Sequence, residues 1–252
     1  MSDGLFDLSG KVALVTGTST GLGESIAIGL AEAGAKVIGV SRRESIVAEK
    51  KISEPGGEFY QIRADISDIS VYPDIIQKVK DKYGRIDILV NNAGMTKRSL
   101  AVDFKPEDWD EVININQRAA YFLSQAVGRE LIKQNTGGKI INICSIRTFQ
   151  GGNGVSAYTA SKTALAGITR SLATEWAKYN IQVNAVAPGF FETEISRPLR
   201  EDAKRNAEIL SSIPAGRWGK PEELQGTVIY LASKASDYVN GHVLVLDGGY
   251  MA

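Results

Sequence analysis

One cysteine and one histidine are all that the 252 residues offer of those two types. Cys144 therefore cannot close a disulfide within the chain, and Cys144 with His242 cannot build a zinc cluster, which takes several such ligands. The shortage of cysteine predicts a reducing, cytoplasmic setting. No apolar run reaches the roughly 18 residues that a bilayer span requires. Residues 1–10 lack the basic stretch and apolar core of a secretory leader. An excess of one charge is missing too, because 29 Lys and Arg are matched by 29 Asp and Glu. Neither nucleic acid nor an anionic membrane is therefore expected as a partner. No repeat, low-complexity segment or Pro/Gly/Ser-rich linker divides the chain. What remains is a composition 43% hydrophobic and 23% charged, read as one globular domain over 1–252.

Strand and helix signals alternate along it. Short apolar, β-branched runs at 11–16, 36–40, 58–63, 85–90, 139–144, 181–186 and 242–246 predict strands. Helical stretches are predicted at 24–33, 69–83, from 105 to about 133, and at 155–178, 198–210 and 221–232, several opened by Pro or closed by Gly. The strand runs are continuously apolar rather than alternating, as suits strands buried on both faces of a parallel sheet. The expected fold class is α/β, a doubly wound parallel sheet with helices on both faces. Ligands bind such sheets outside the carboxyl ends of the strands. Gly17 to Gly23, Asp65, Asn91 to Gly94, Ser145 and Pro188-Gly189 all fall at those ends.

Gly17-Thr18-Ser19-Thr20-Gly21-Leu22-Gly23 joins the first strand to the first helix. Glycines there let the backbone turn tightly and approach a phosphate, while the helix N-terminus offers unpaired N–H groups. Tyr158 and Lys162 stand four residues apart, on one face of a predicted helix. A neighbouring ammonium favours phenolate and draws a tyrosine of pKa about 10 toward catalytic use. Ser145, at a strand end, can polarise a substrate carbonyl. After the second strand comes Ser41-Arg42-Arg43, with no carboxylate before Glu44. A carboxylate there would accept bonds from an adenosine ribose, whereas arginine pairs with a 2′-phosphate.

Thr16-Gly17-x-x-x-Gly21-x-Gly23, Asn91-Asn92-Ala93-Gly94, Ser145, Tyr158-x-x-x-Lys162 and Pro188-Gly189, in that order, resemble the short-chain dehydrogenase/reductase family over roughly 8–252. The resemblance implies a Rossmann-type sheet of about seven strands, a nicotinamide cofactor and a homotetramer. It implies Tyr158 as general acid and base, Lys162 lowering its pKa and holding the nicotinamide ribose, and Asn116 holding a water that links Lys162 to solvent, with Asn114 as the competing position. It assigns Asp65 and Ile66 to adenine, Asn92, Ala93 and Gly94 to the cofactor floor, and Thr193 to the carboxamide. NADP(H) is the expected cofactor, gripped by Ser41, Arg42 and Arg43, with NAD(H) as the alternative; no metal is needed.

The expected substrate is a small polar ketone or alcohol. Arg98, Arg147, Gln150, Asn153 and Arg217 form an unusually polar lining together with Ser145. Arginines suit a carboxylate, and Asn and Gln suit hydroxyls. The stretches Phe149 to Gly152, Ile213 to Gly219 and Ala235 to Gly241 resemble the branch of the family that acts on ketodeoxy sugar acids. The substrate side is expected to include a helical segment at about 190–220. A 3-oxoacyl carrier-protein reductase, a polyol or gluconate dehydrogenase, and a non-catalytic sensor of NADP(H) are the competing readings.

Overall fold

The seven apolar runs become seven strands, and the five central ones bury side chains on both faces. In β1, Val12–Thr16, every residue is buried. The computed structural model describes residues 4–252; the first three positions of the 1–10 segment read above lie outside the described residues. The remaining strands are β2 (Lys36–Ser41), β3 (Phe59–Arg63), β4 (Ile88–Asn91), β5 (Gly138–Ile143), β6 (Ile181–Pro188) and β7 (Val243–Leu246). They form one sheet in the order β3-β2-β1-β4-β5-β6-β7, and every pairing is parallel. The sequence order reverses between β1 and β4, which opens a crevice at their carboxyl ends.

Alternation along β1 separates two cores. Ala13 and Val15 face a layer holding Ile26 and Leu30 of α1 (Gly21–Glu32), Ala48 and Ile52 of α2 (Ile46–Ser53), and residues later in the chain. Val12 and Leu14 face the opposite layer. That layer contains Ile75 and Val79 of α3 (Tyr72–Tyr83). After α4 (Pro106–Ile113), it continues with Leu123 and Val127 of α5 (Ala120–Gln134) and Leu172 and Trp176 of α6 (Ser156–Trp176). Two short helices, α7 (Arg197–Glu201) and α8 (Ala203–Ser212), stand beside the crevice. The last helix, α9 (Gln225–Ala232), places Val228 and Leu231 back in the first layer. Among the described residues no helix is long and apolar enough to cross a membrane.

Three features depart from the expected helices. The stretch from 105 to about 133 is not one α-helix: Asn114–Ala119 forms a π-helical segment between α4 and α5. The 198–210 helix is broken at Asp202, whose extended backbone and carboxylate, accepting from Arg205 N, start α8 afresh. Helix α2 was not expected, since only Ala48 and Ile52 of its eight residues are buried.

A polar chain crosses the otherwise apolar second layer. Asn91 Nδ2 donates to Ser124 Oγ at 2.8 Å and to Asn142 Oδ1 at 2.8 Å, and Asn142 Nδ2 donates to Thr169 Oγ1 at 2.9 Å. It ties β4 and β5 to α5 and α6, the elements that deliver the candidate site. Replacing Asn142 by Leu strands the buried partners on both sides. The expected loss is about 1–3 kcal/mol of unfolding free energy, the cost of unsatisfied buried groups. Urea unfolding of the two proteins measures it, and an unchanged midpoint and slope would show that the chain of bonds carries no net stability.

Candidate active site

The crevice opens as a cavity of about 800 Å³. Its wall at β1 is shaped by glycine. Gly17 has φ +76 and Gly21 φ +65, backbone that side chains other than glycine rarely adopt. At Gly23 an added Cβ would land on the Gly17 carbonyl oxygen and the Asn92 amide nitrogen. The ends of β1 and β4 are stitched together there. Thr16 Oγ1 accepts from Asn92 N and Ala93 N, each at 3.0 Å, and Asn92 Nδ2 donates to Thr16 O at 2.9 Å. The N-terminus of α1 has no side-chain cap, with Thr20 extended before it. Its unpaired N–H groups and positive dipole end are suited to a phosphate.

At the end of β2 the Ser41 hydroxyl turns into its own loop. It donates to Arg43 O at 2.6 Å and accepts from Gln61 Nε2 at 3.1 Å. The two arginines diverge. Arg42 leans on Asp65, Nη1 to Oδ2 3.8 Å, a well-exposed pair of the kind that contributes little. Arg43 reaches back over the glycine turn, with Nη2 3.5 Å from Ser19 Oγ and 3.4 Å from Thr20 Oγ1. Bonds from Ser67, and secondarily Arg42, hold the Asp65 carboxyl below the usual carboxylate range. Every residue named above for the cofactor lines this cavity, including Leu22, Ile66, Gly94, Pro188, Gly189 and Thr193.

Ser145, Tyr158 and Lys162 line the same space. Lys162 is the unusual one. It is 4% exposed, and its ammonium donates to Ile143 O at 2.6 Å. Burial depresses its pKa from 10.5 to about 8. The Tyr158 phenol moves the other way: burial raises it, while the Ser145 hydroxyl and the Arg147 and Arg98 guanidiniums work to lower it. Lys162 Nζ stands 5.7 Å from the Tyr158 ring centroid, and its hydrogen bond goes to the end of β5.

Asn116 does not line the cavity but sits behind it. The π-helical segment turns it inward, where Oδ1 accepts from Met95 N at 2.8 Å and Nδ2 donates to Met95 O at 2.9 Å and to Ser161 Oγ at 3.0 Å. A Cβ built on Gly94 would meet Asn116 Oδ1 at 3.2 Å and Lys162 Nζ at 3.6 Å, which puts the two side chains on one side of that backbone. Asn114 faces elsewhere, donating to Ser67 O and accepting from Arg118.

On the substrate side, Arg98, Arg147 and Asn153 line the cavity. Gln150 and Arg217 do not. Arg217 is bound to Glu223 by two bonds of 2.7 and 2.6 Å, a fork-to-carboxylate match that keeps it outside. Arg98 and Arg147 have no carboxylate partner among the described residues. Arg147 Nη1 donates to Gly151 O at 2.6 Å, and the two loops are tied by Ser99 N donating to Gly154 O at 3.1 Å. Arg205 and Ile209 of α8 and Trp218 also line the cavity; all three lie in the segment expected at about 190–220, but the sequence reading did not single out Arg205. An arginine on an exposed amphipathic helix carries no sequence signal that separates it from a solvated one.

Comparison with known proteins agrees with this geometry. A family model described as enoyl-(acyl carrier protein) reductase, of the short-chain alcohol dehydrogenase type, matches residues 17–251. A 2-dehydro-3-deoxy-D-gluconate 5-dehydrogenase of Dickeya dadantii is 52% identical over 98% of each chain. A solved Agrobacterium tumefaciens structure with bound NADP is 45% identical, with a TM-score of 0.93 and coverage of 98% of each chain. A gluconate 5-dehydrogenase of Burkholderia cenocepacia, solved with NADP and tartrate, is 38% identical, with a TM-score of 0.93 over 98% of this chain and 97% of the other.

The buried ammonium has a measurable signature. Native Lys162 releases its proton near pH 8, whereas in the unfolded chain it does so near 10.5. Between those values the unfolded state binds more protons, so stability rises with pH. Without ligand, wild type is expected to gain stability relative to Lys162→Met as pH rises from 8 toward 10. Denaturant midpoints of both proteins across that range check this, and parallel curves would contradict the desolvated lysine.

Proposed function

The chain belongs to the short-chain dehydrogenase/reductase family and is an NAD(P)-dependent oxidoreductase of a CH–OH/C=O pair; from that premise we propose that its substrate is a deoxy keto sugar acid and that NADP(H) is its preferred cofactor. The observation that carries the substrate reading is the pair Arg98 and Arg147, which line the cavity together with Tyr158 and have no carboxylate partner among the described residues. Two such guanidiniums attract an anionic ketone and disfavour a neutral or lipidic one. The Dickeya relative is named for oxidation at carbon 5 of a 2-dehydro-3-deoxy sugar acid, and the Burkholderia structure is a complex with NADP and tartrate, a small hydroxy acid. Both names agree with that charge.

The residues fit a nicotinamide dinucleotide: the Gly17–Gly23 cradle leaves room for a pyrophosphate against an uncapped helix start, and the Lys162 ammonium has one carbonyl partner and donors to spare. Bound there, the cofactor supplies or accepts the hydride. The chain's own groups do the rest. In the reducing direction Ser145 donates a hydrogen bond to the substrate carbonyl oxygen, and Tyr158 gives that oxygen its proton. Lys162 favours the phenolate so formed, and Asn116 holds the Met95 backbone and Ser161 that frame the lysine. In oxidation the same phenolate accepts the proton.

Arg43 is assigned to the 2′-phosphate, since it arches over Ser19 and Thr20 while Arg42 is drawn to Asp65. The protein is expected to act in the cytoplasm, consistent with its one buried, free thiol. It is expected to assemble as a homotetramer through the α4–α5 and α6 helices and the β7 edge, where Val245 is exposed.

Three mutants test this. Tyr158→Phe is expected to keep NADPH binding and fold but lose at least about a hundredfold in turnover, the usual scale of a general acid; undiminished turnover would overturn the mechanism. Arg43→Ala is expected to weaken NADPH by about 1.5–3 kcal/mol, the range for a charge-assisted bond, with Arg42→Ala costing less and NADH binding unmoved. Fluorescence titration measures all four affinities. A larger loss from Arg42 would reverse the assignment, and a wild-type kcat/KM favouring NADH would remove it.

A further inference from the structure

A third guanidinium reaches the Arg98 and Arg147 end of the cavity from a different element. Arg205 stands in the first turn of α8 and lines the cavity beside Ile209. All three guanidinium-bearing residues line this one cavity, and burial first, then the Arg147 and Arg205 charges, lower the Arg98 pKa. Like charges converging in a partly enclosed space are unfavourable unless an anion sits among them. Among the described residues no carboxylate is paired with Arg98 or Arg147. The one partner of Arg205 among the described residues is Glu208, bonded through Nη1 at 2.9 Å on the same helix. Both members of that pair are about half exposed, so it contributes little and releases Arg205 cheaply.

The placement of Arg205 is built in rather than incidental. Asp202 Oδ1 accepts from its backbone N at 3.0 Å and fixes the start of α8. The next residue, Asn206, accepts from Trp218 Nε1 at 2.7 Å through Oδ1. Trp218 packs edge-on against Phe190, with ring centroids 5.4 Å apart, in a cluster with Ile209 and Ile213. Trp218 thus pins the turn that carries Arg205 to the strand-end wall near Gly189. The helix is held by its own small core, independently of the two loops that present Arg98 and Arg147.

We infer that Arg205 is a specificity-determining residue, which with Arg98 and Arg147 receives the carboxylate of the substrate and so selects acidic ketones over neutral ones. The inference rests on the keto sugar acid reading and extends it to a residue outside the sequence motifs. Three guanidiniums from three segments can engage a carboxylate from more than one side, which fixes its position relative to the reacting carbonyl.

The test compares wild type, Arg205→Ala and Arg205→Lys with NADPH and two ketones: a deoxy keto sugar acid, and its analogue with the carboxylate reduced to a primary alcohol. The ratio of kcat/KM for acid over alcohol is expected to fall roughly ten- to hundredfold in Arg205→Ala, the scale of a charge-assisted pair, and to recover in part in Arg205→Lys. Binding of the keto acid to the enzyme–NADP+ complex, which cannot react, is expected to weaken by a similar factor, while NADP+ affinity stays constant and reports an intact fold. An unchanged ratio in Arg205→Ala, with wild type still preferring the acid, would overturn the role of Arg205 alone. A wild-type preference for the neutral alcohol would overturn the keto acid reading and this inference with it.

Discussion

A charged lysine buried at the end of a β-strand is the constraint on which the site depends. Taking an ammonium out of water is costly unless donors find acceptors, and Lys162 has one, the Ile143 carbonyl. Three pieces of the fold converge to keep it there. Helix α6 supplies the residue, β5 supplies the carbonyl, and Asn116 braces the adjoining Met95 backbone and Ser161. The depressed pKa records an environment short of partners. A ribose offers the hydroxyl oxygens that such an ammonium lacks, so cofactor binding and relief of this burial are one event in the proposed mechanism.

The sheet order explains why the pieces meet. Reversal between β1 and β4 leaves the glycine turn, the Asn91 to Gly94 turn and the end of β5 facing a common crevice. Contacts that a Cβ would block at Gly23 bring the β1 and β4 ends together, and the buried Asn91–Asn142–Thr169 chain ties β4 and β5 to α6. The glycine-turn wall of the cavity is therefore built largely from closely packed backbone. Its substrate side is charge carried on separate segments, Arg98 and Arg147 on loops and Arg205 on a pinned helix.

Much of this was legible in the residues because buried parallel strands read as continuous apolar runs, and the chemistry-bearing residues follow them directly. What was not legible has physical causes. Asn116 was named through the family resemblance, but the π-helical turn that points it inward was not, because no 3.6-residue periodicity anticipates that displacement. Arg42 and Arg43 are neighbours of one type, and only the fold shows that Asp65 claims the first. Arg217 looked like a ligand until Glu223, six residues away, was seen to hold it. Helix α2 buries too little to announce itself, while the break before α8 was written in Asp202, a capping residue that also stands in a continuous helical pattern.

The central claim is that hydride passes between a nicotinamide cofactor and the ketone of a deoxy sugar acid in this one cavity. Reduction of the 2,5-dioxo-3-deoxy acid with NADPH deuterated at the transferring carbon, followed by mass and NMR analysis of the product, tests it most directly. The account predicts one deuterium at the new carbinol carbon 5. Product without that label, or no consumption of the labelled cofactor, would contradict it.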